Sequence, residues 1–249
     1  MARLKGLLKI EGTLDELTFY KTQDGHLVKT KSGVSGDRIA NDPTFQRTRE
    51  NGSEFGSAAA AGKLLRDAVR TLMLTAADNR ITARVTQLMT IIKNYDTTSQ
   101  RGERNVGVGI AAPGATDELK NFDFNINAIL SSILYKPYAV DTATGIITIS
   151  GLVPINDIAA PIGASHVSLR GAWAKVDFAA GTSAVEYTNT TNVVIDATSG
   201  NVTLTPAGVP AGSGTSMFLL AVEFFQEVNG VQYTLKNGAY NALSIVEVA

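Results

Sequence analysis

The sequence predicts an α+β protein: a small N-terminal β-hairpin and an αα-hairpin, then a C-terminal antiparallel β-sandwich of immunoglobulin-like type. Three observations predict it. Two strand-like runs flank Gln23-Asp24-Gly25, apolar residues recur at helical spacing from Ala58 to Ile92, and short β-branched runs separated by Gly, Ser, Asn and Thr fill the chain beyond Asn121. The organisation expected is an assembly module over 1–95, a linker over 96–120 and a β-sandwich domain over 121–249. At 249 residues, 44% hydrophobic and 18% charged, the chain can bury a sizeable core.

In the first forty residues, Leu17-Thr-Phe-Tyr-Lys-Thr and His26-Leu-Val-Lys-Thr-Lys read as the arms of a hairpin, because Asp-Gly is a favoured turn. Its apolar residues Leu17, Phe19 and Leu27 are too few to form a core, and isolated hairpins are marginal. These strands are therefore expected to lie on the helices or on a neighbouring subunit.

Asn41-Asp42-Pro43 sets a capping side chain before a first-turn proline and starts a helix. Ala58, Ala61, Leu65, Val69 and Leu72 form its apolar stripe. Asp78 or Asn79 caps a second helix carrying Ile81, Val85, Leu88 and Ile92, so the pair turns near 75–80. Within the first helix, Gly56-Ser-Ala-Ala-Ala-Ala-Gly62-Lys63 invites comparison with a phosphate-binding loop. The match fails on spacing, because five residues separate the glycines where four are needed, and Leu64 supplies no hydroxyl for a metal. Gly52 and Gly56 each cost about 1 kcal/mol of helix propensity relative to alanine. Such a cost is commonly offset by close backbone approach, so another helix or chain is expected against Gly52, Gly56, Ala59 and Ala60. A simple break at Asn51-Gly52 is the alternative.

Beyond the polar, Gly- and Ala-rich stretch 96–120, strands are expected at 138–140, 146–150, 166–178, 184–188, 192–196, 201–205, 217–228, 231–235 and 242–248. Asn229-Gly230 is the clearest hairpin turn, and Phe218, Leu220, Val222 and Phe224 alternate on one face of a half-buried strand. Trp173 shares a face with Val167 and Leu169 and reads as core. Seven to nine short strands suit a sandwich; a barrel is the other arrangement.

Chemistry is sparse. Without cysteine there is no disulfide framework, thiolate metal site or cysteine nucleophile. The two histidines, His26 and His166, fall in different modules, and no HExxH or Gly-x-Ser-x-Gly occurs. Asp123-Phe-Asn125-Ile-Asn127 begins like a calcium loop, but Ala128 replaces its glycine and Leu134 its glutamate. Gly107-Val-Gly109 lacks the later glycine and the preceding strand of a dinucleotide fingerprint. No catalytic, cofactor-binding or metal-ligating residue is assigned, and no cofactor is expected.

Residues 1–104 hold 17 Lys and Arg against 12 Asp and Glu, a net of +5; residues 105–249 hold 5 against 11, a net of −6. In the basic half, Glu50, Glu54, Asp67 and Asp78 interleave with the cations, which disfavours nucleic acid as a partner. Apolar runs in Met1–Lys9 are only two residues long, and 197–222 is interrupted by Gly, Pro, Ser and Thr. Neither a secretory leader nor a membrane helix is expected, and synthesis in the cytoplasm is.

The stretches "GTLDELTFYKTQDGHLVKTKSGVSGDRIANDPTFQRTRENGSEFG" and "EFFQEVNGVQYTLKNGAYNALSIVEV" resemble segments of uncharacterised proteins of Bacteroidota. They cover under a third of the chain, and the resemblance implies no activity and transfers no functional residue. The function expected is that of a non-enzymatic structural protein assembling with itself, and with other structural proteins, into a homo-oligomer or filament such as a phage-like particle. A β-sandwich adaptor recognising a protein or glycan is the alternative, and an enzyme ranks third.

Overall fold

The first hairpin closes at the turn the sequence marks, but it does not stand as a hairpin alone. The computed structural model describes residues 2–3, 10–30, 33–235 and 238–249. In it β1 (Ala2–Arg3), β2 (Gly12–Leu14), β3 (Leu17–Thr22) and β4 (Gly25–Thr30) form an antiparallel sheet in the order β1-β4-β3-β2. Lys31, expected to end the second arm, and all of Met1–Lys9 except Ala2–Arg3 lie outside the described residues, as do Lys236 and Asn237. The chain forms two compact units, Met1–Asn51 and Gly52–Ala249.

The first unit continues through α1 (Gly36–Asn41), capped by the Ser35 hydroxyl accepting from the Arg38 amide. Asp42 then caps a single 3₁₀ turn over Pro43–Phe45, accepting from the Thr44 amide at 2.9 Å, as Asp-Pro predicts. The Arg49 guanidinium donates to the carbonyls of Ile39 and Asp42, fixing the entry to α2 (Gln46–Ala68). That helix runs unbroken through Asn51-Gly52.

In the second unit α2 is followed by a short α3 (Arg70–Met73) and by α4 (Ile81–Asn94). All five residues of the expected stripe, Ala58, Ala61, Leu65, Val69 and Leu72, are buried, with Ile81, Val85, Leu88 and Ile92 opposite them. Residues 96–120, expected as a linker, instead form α5 (Val106–Gly109) and a 3₁₀ turn, and contribute Val106, Ala115 and Leu119 to the same core. The module boundaries at 95 and 121 therefore do not coincide with the compact units. The physical reason lies in buried carboxylates that satisfy the backbone of this polar stretch, described below.

Beyond α6 (Leu130–Ile133) come β5 (Ala139–Val140), β6 (Ile147–Leu152), α7 (Pro154–Asp157), β7 (His166–Asp177), β8 (Thr182–Val194), β9 (Gly200–Leu204), β10 (Thr215–Val228), β11 (Val231–Thr234) and β12 (Ala242–Val248). The two strands expected at 184–188 and 192–196 are the single strand β8. A register shift opposite Arg170–Ala172 lets it continue past Thr188. Asn229 and Gly230, at φ 52° and 77°, make the β10–β11 turn with the positive φ values that its sequence calls for.

The C-terminal strands are antiparallel, as expected, in an order that does not by itself establish an immunoglobulin-like sandwich. β10 is central: β7 pairs along one side, while β12 and then β11 share the other, and β8 completes an antiparallel sheet curled as a half-barrel. A separate sheet, β5-β6-β9, faces it. Phe218, Leu220, Val222 and Phe224 point into the core between the two sheets, as their alternation predicts, joined by Val167, Leu169 and Trp173. The strand is not half-buried, however. Met217, Leu219 and Ala221 on its other face join Ala172, Ala174 and Val176 in the core with the helices. The run Met217–Val222 is continuously apolar because helices cover one side of the sheet and strands the other.

Candidate assembly surface

Antiparallel register assigns the faces of the N-terminal sheet. Leu14 lies opposite Leu17, and Phe19 opposite Val28, which puts these four side chains on one face. Leu27 lies opposite Tyr20, on the other face with Thr18 and Lys29. The structure therefore brings Leu17 and Phe19 together and separates Leu27 from them. Leu14 is 62% exposed and Leu17 42%. Val28 was missed, although the two-residue Gln23-Asp24 turn already fixes that it shares a face with Leu17 and Phe19; Leu14 was missed because it lies on β2, beyond that turn.

The second expected surface lies on α2. Gly52, Gly56 and Ala60 are exposed and Ala59 is half-buried, on the side of the helix away from Ala58, Ala61 and Leu65. An added Cβ at Gly52 or Gly56 would meet nothing within the chain. Phe55, 60% exposed, adjoins this stripe and was missed because the glycines drew the reading. The glycine that does mediate close helix approach is Gly62, where a Cβ would stand 3.1 Å from Val85 Cγ1 on α4. Gly62-Lys63 is thus a packing site, with Lys63 paired to Asp67 at 3.3 Å. Since no contact inside the chain uses Gly52 or Gly56, Gly56→Ala should stabilise the unassembled chain by about 1 kcal/mol in chemical denaturation.

Three carboxylates, Glu54, Asp96 and Asp78, hold backbone amides. Glu54 and Lys93 pair at 2.5 Å, and Glu54 also accepts from the Gly102 amide at 2.8 Å. The Lys93 hydrogen bond, ahead of the Gly102 amide, holds the Glu54 carboxyl below its ordinary range. Asp96 is almost fully buried and accepts from the amides of Thr98, Ser99 and Asn105. Burial opposes its charge, but these hydrogen bonds outweigh burial and hold its carboxyl far below the usual range. Asp78 pairs with Arg84 at 2.5 Å and accepts from the amides of Arg80 and Ile126.

In the calcium-like series, Asp123 accepts from the Leu130 amide, Phe124 is buried, and Asn125 donates to the carbonyls of Gly238 and Asn241. Burial raises the Asp123 carboxyl. Among the described residues no group of three His, Asp or Glu is placed to hold a metal ion, and no helix is long and apolar enough to cross a membrane. His26 and His166 lie apart in sequence and unit; His166 faces Ser165 at 2.9 Å and Glu227 at 3.5 Å.

A cavity of about 250 Å³ opens beside the β8–β9 turn, lined by Leu152, Pro154, Val193, Val194 and Val202, with Asp196 and Asn201 at its polar side. A smaller one, about 110 Å³, holds Arg170, Glu223, Ser168 and Thr190 beneath α3. The Arg170 guanidinium lies 4.7 Å from the Tyr187 ring centroid. No known protein family, curated protein or solved structure matches the chain.

Proposed function

We propose that this chain is a non-enzymatic structural protein that joins copies of itself into a homo-oligomer or filament, such as one that builds a phage-like particle. The first unit carries the reading: none of its residues 10–30 and 33–51 is buried, though it holds a four-stranded sheet with Leu14 and Leu17 in the open. A small sheet gains its stability by covering a hydrophobic face, so this one calls for a partner surface. The net charges of +5 on residues 1–104 and −6 on residues 105–249 favour a partner of the same kind and would orient its approach.

Light scattering of the intact chain should therefore report masses above one copy. Their formation should slow as salt rises beyond about 0.15 M, where screening acts within about 8 Å. Once formed they should survive high salt, because buried apolar area supplies the affinity. The mass of a single copy at every concentration and salt would overturn the reading. Gly56→Leu should reduce the assembled size without altering the circular dichroism; an unchanged size would confine assembly to surfaces other than α2.

The 250 Å³ cavity favours a second reading, an adaptor that takes an apolar side chain of a protein ligand against Val193, Val194 and Val202. Nuclear magnetic resonance shifts confined to 193–202 on adding candidate peptides to a monomeric chain would support it over self-assembly.

A further inference from the structure

We infer that two copies of this chain meet face to face through the N-terminal sheet, packing Leu14, Leu17, Phe19 and Val28 of one against the same four residues of the other about a two-fold axis. The inference rests on the self-assembly reading and names its contact. The four side chains share one face by register, and two of them are substantially exposed. β1 and β2 pair with two residues of β4 and three of β3, and the apolar side chains of the sheet lie on its face.

Charge selects a second copy as the occupant. Lys21 lies on the apolar face near the β3–β4 turn, in register with His26, and is exposed. The exposed Asp15-Glu16 turn between β2 and β3 lies at the opposite end of the same strand. Six residues of strand separate these ends by about 20 Å. An antiparallel two-fold arrangement sets Lys21 of each copy over the Asp15-Glu16 turn of the other, forming the pairing twice, whereas a parallel arrangement sets Lys21 against Lys21 and the Asp15-Glu16 turn against its own copy; the exposed Asp24 in the β3–β4 turn shares the Lys21 end. The face spans about 20 Å by 15 Å, so a dimer buries less than the roughly 1,200 Å² of a standard stable interface. The contact is accordingly weak, and its dissociation is measurable.

Sedimentation equilibrium of the full chain tests it. Leu14→Asp and Leu17→Asp alter side chains that the chain itself leaves exposed, and each should weaken association at least tenfold. Lys21→Glu and Glu16→Lys should each weaken it about three- to tenfold, as expected for two symmetric exposed ion pairs. Glu16 is chosen over Asp15 because Asp15 sits at φ 50°, where a lysine would add strain. Lys21→Glu combined with Glu16→Lys restores opposite charges across the axis and should return the affinity to within about threefold of the parent. That rescue separates a contact from simple misfolding. A parent chain that stays a single copy overturns both this proposal and the self-assembly reading. An oligomeric parent unmoved by Leu14→Asp and Leu17→Asp overturns this contact alone, and failure of the charge rescue overturns its antiparallel geometry.

Discussion

Lys93→Met is expected to cost the folded chain about 3–5 kcal/mol in urea denaturation, the range for removing one partner of a buried ion pair. Lys93 lies near the C-terminal end of α4, and its side chain and that of Glu54 are each more than nine-tenths buried. Methionine supplies an unbranched apolar side chain of similar length, so the loss falls on the carboxylate left behind. Glu54 keeps the Gly102 amide and the Arg104 charge but loses the Lys93 hydrogen bond, the largest of the influences that favour its ionised form. The deficit should therefore shrink as pH falls. In the parent the Lys93 contribution is itself lost as Glu54 is protonated, whereas in the variant it is already absent, so acidification removes less from the variant.

In the parent chain Glu54 and Asp96 are both held below their ordinary values, so their contribution is full above about pH 5 and is lost on acidification. Adding Glu54→Gln to Lys93→Met should recover most of the loss, because the amide oxygen still accepts from Gly102 and no charge remains buried. A double variant as unstable as the single one would show that packing, not the stranded charge, sets the cost.

Much of the second unit's secondary structure is legible in the sequence because local signals act there without competition. Ala242–Val248 becomes β12 at the expected residues, and Asn229-Gly230 turns β10 into β11. The layering is harder to read. Phe218, Leu220, Val222 and Phe224 alternate as a half-buried strand should, but Met217, Leu219 and Ala221 fill the gaps, and the whole run is the signature of a strand covered on both sides. Ala172 and Ala174 between the bulkier residues of β7 mark where the helical layer enters, a signal that small side chains make faint.

The candidate surface was legible in part. Leu17 and Phe19 share a face, whereas Leu27 follows the register to the other side. β2, only three residues long, gives too brief a pattern to announce Leu14. The polar stretch 96–120 misleads for a separate reason: Asp96 and Glu54 resemble loop and surface acids in a sequence, and only burial reveals that they satisfy its amides.

The second large effect falls within that stretch. Gly109→Ala should destabilise the chain by about 3 kcal/mol, the upper part of the range for overpacking, lowering Tm by about 10 °C. Gly107-Val108-Gly109 resembles a fragment of a nucleotide-binding loop, yet both glycines occupy sites with no space for a side chain. A Cβ at Gly109 would fall deep inside the van der Waals radius of the Ile92 carbonyl oxygen, which belongs to the backbone of α4 and cannot rotate away. At Gly107 a Cβ would stand 2.8 Å from Ala179 Cα, in the loop between β7 and β8. These two contacts seat α5 between the end of α4 and the large sheet, with Asn105 capping it by accepting from the Val108 amide. Val108 itself is 41% exposed, so Val108→Ala should change stability by less than about 0.5 kcal/mol. The contrast between adjacent positions, read by thermal denaturation, tests the close approach directly. Equal melting of Gly109→Ala and Val108→Ala would mean that 96–120 is held only by its buried carboxylates and not by backbone packed on backbone.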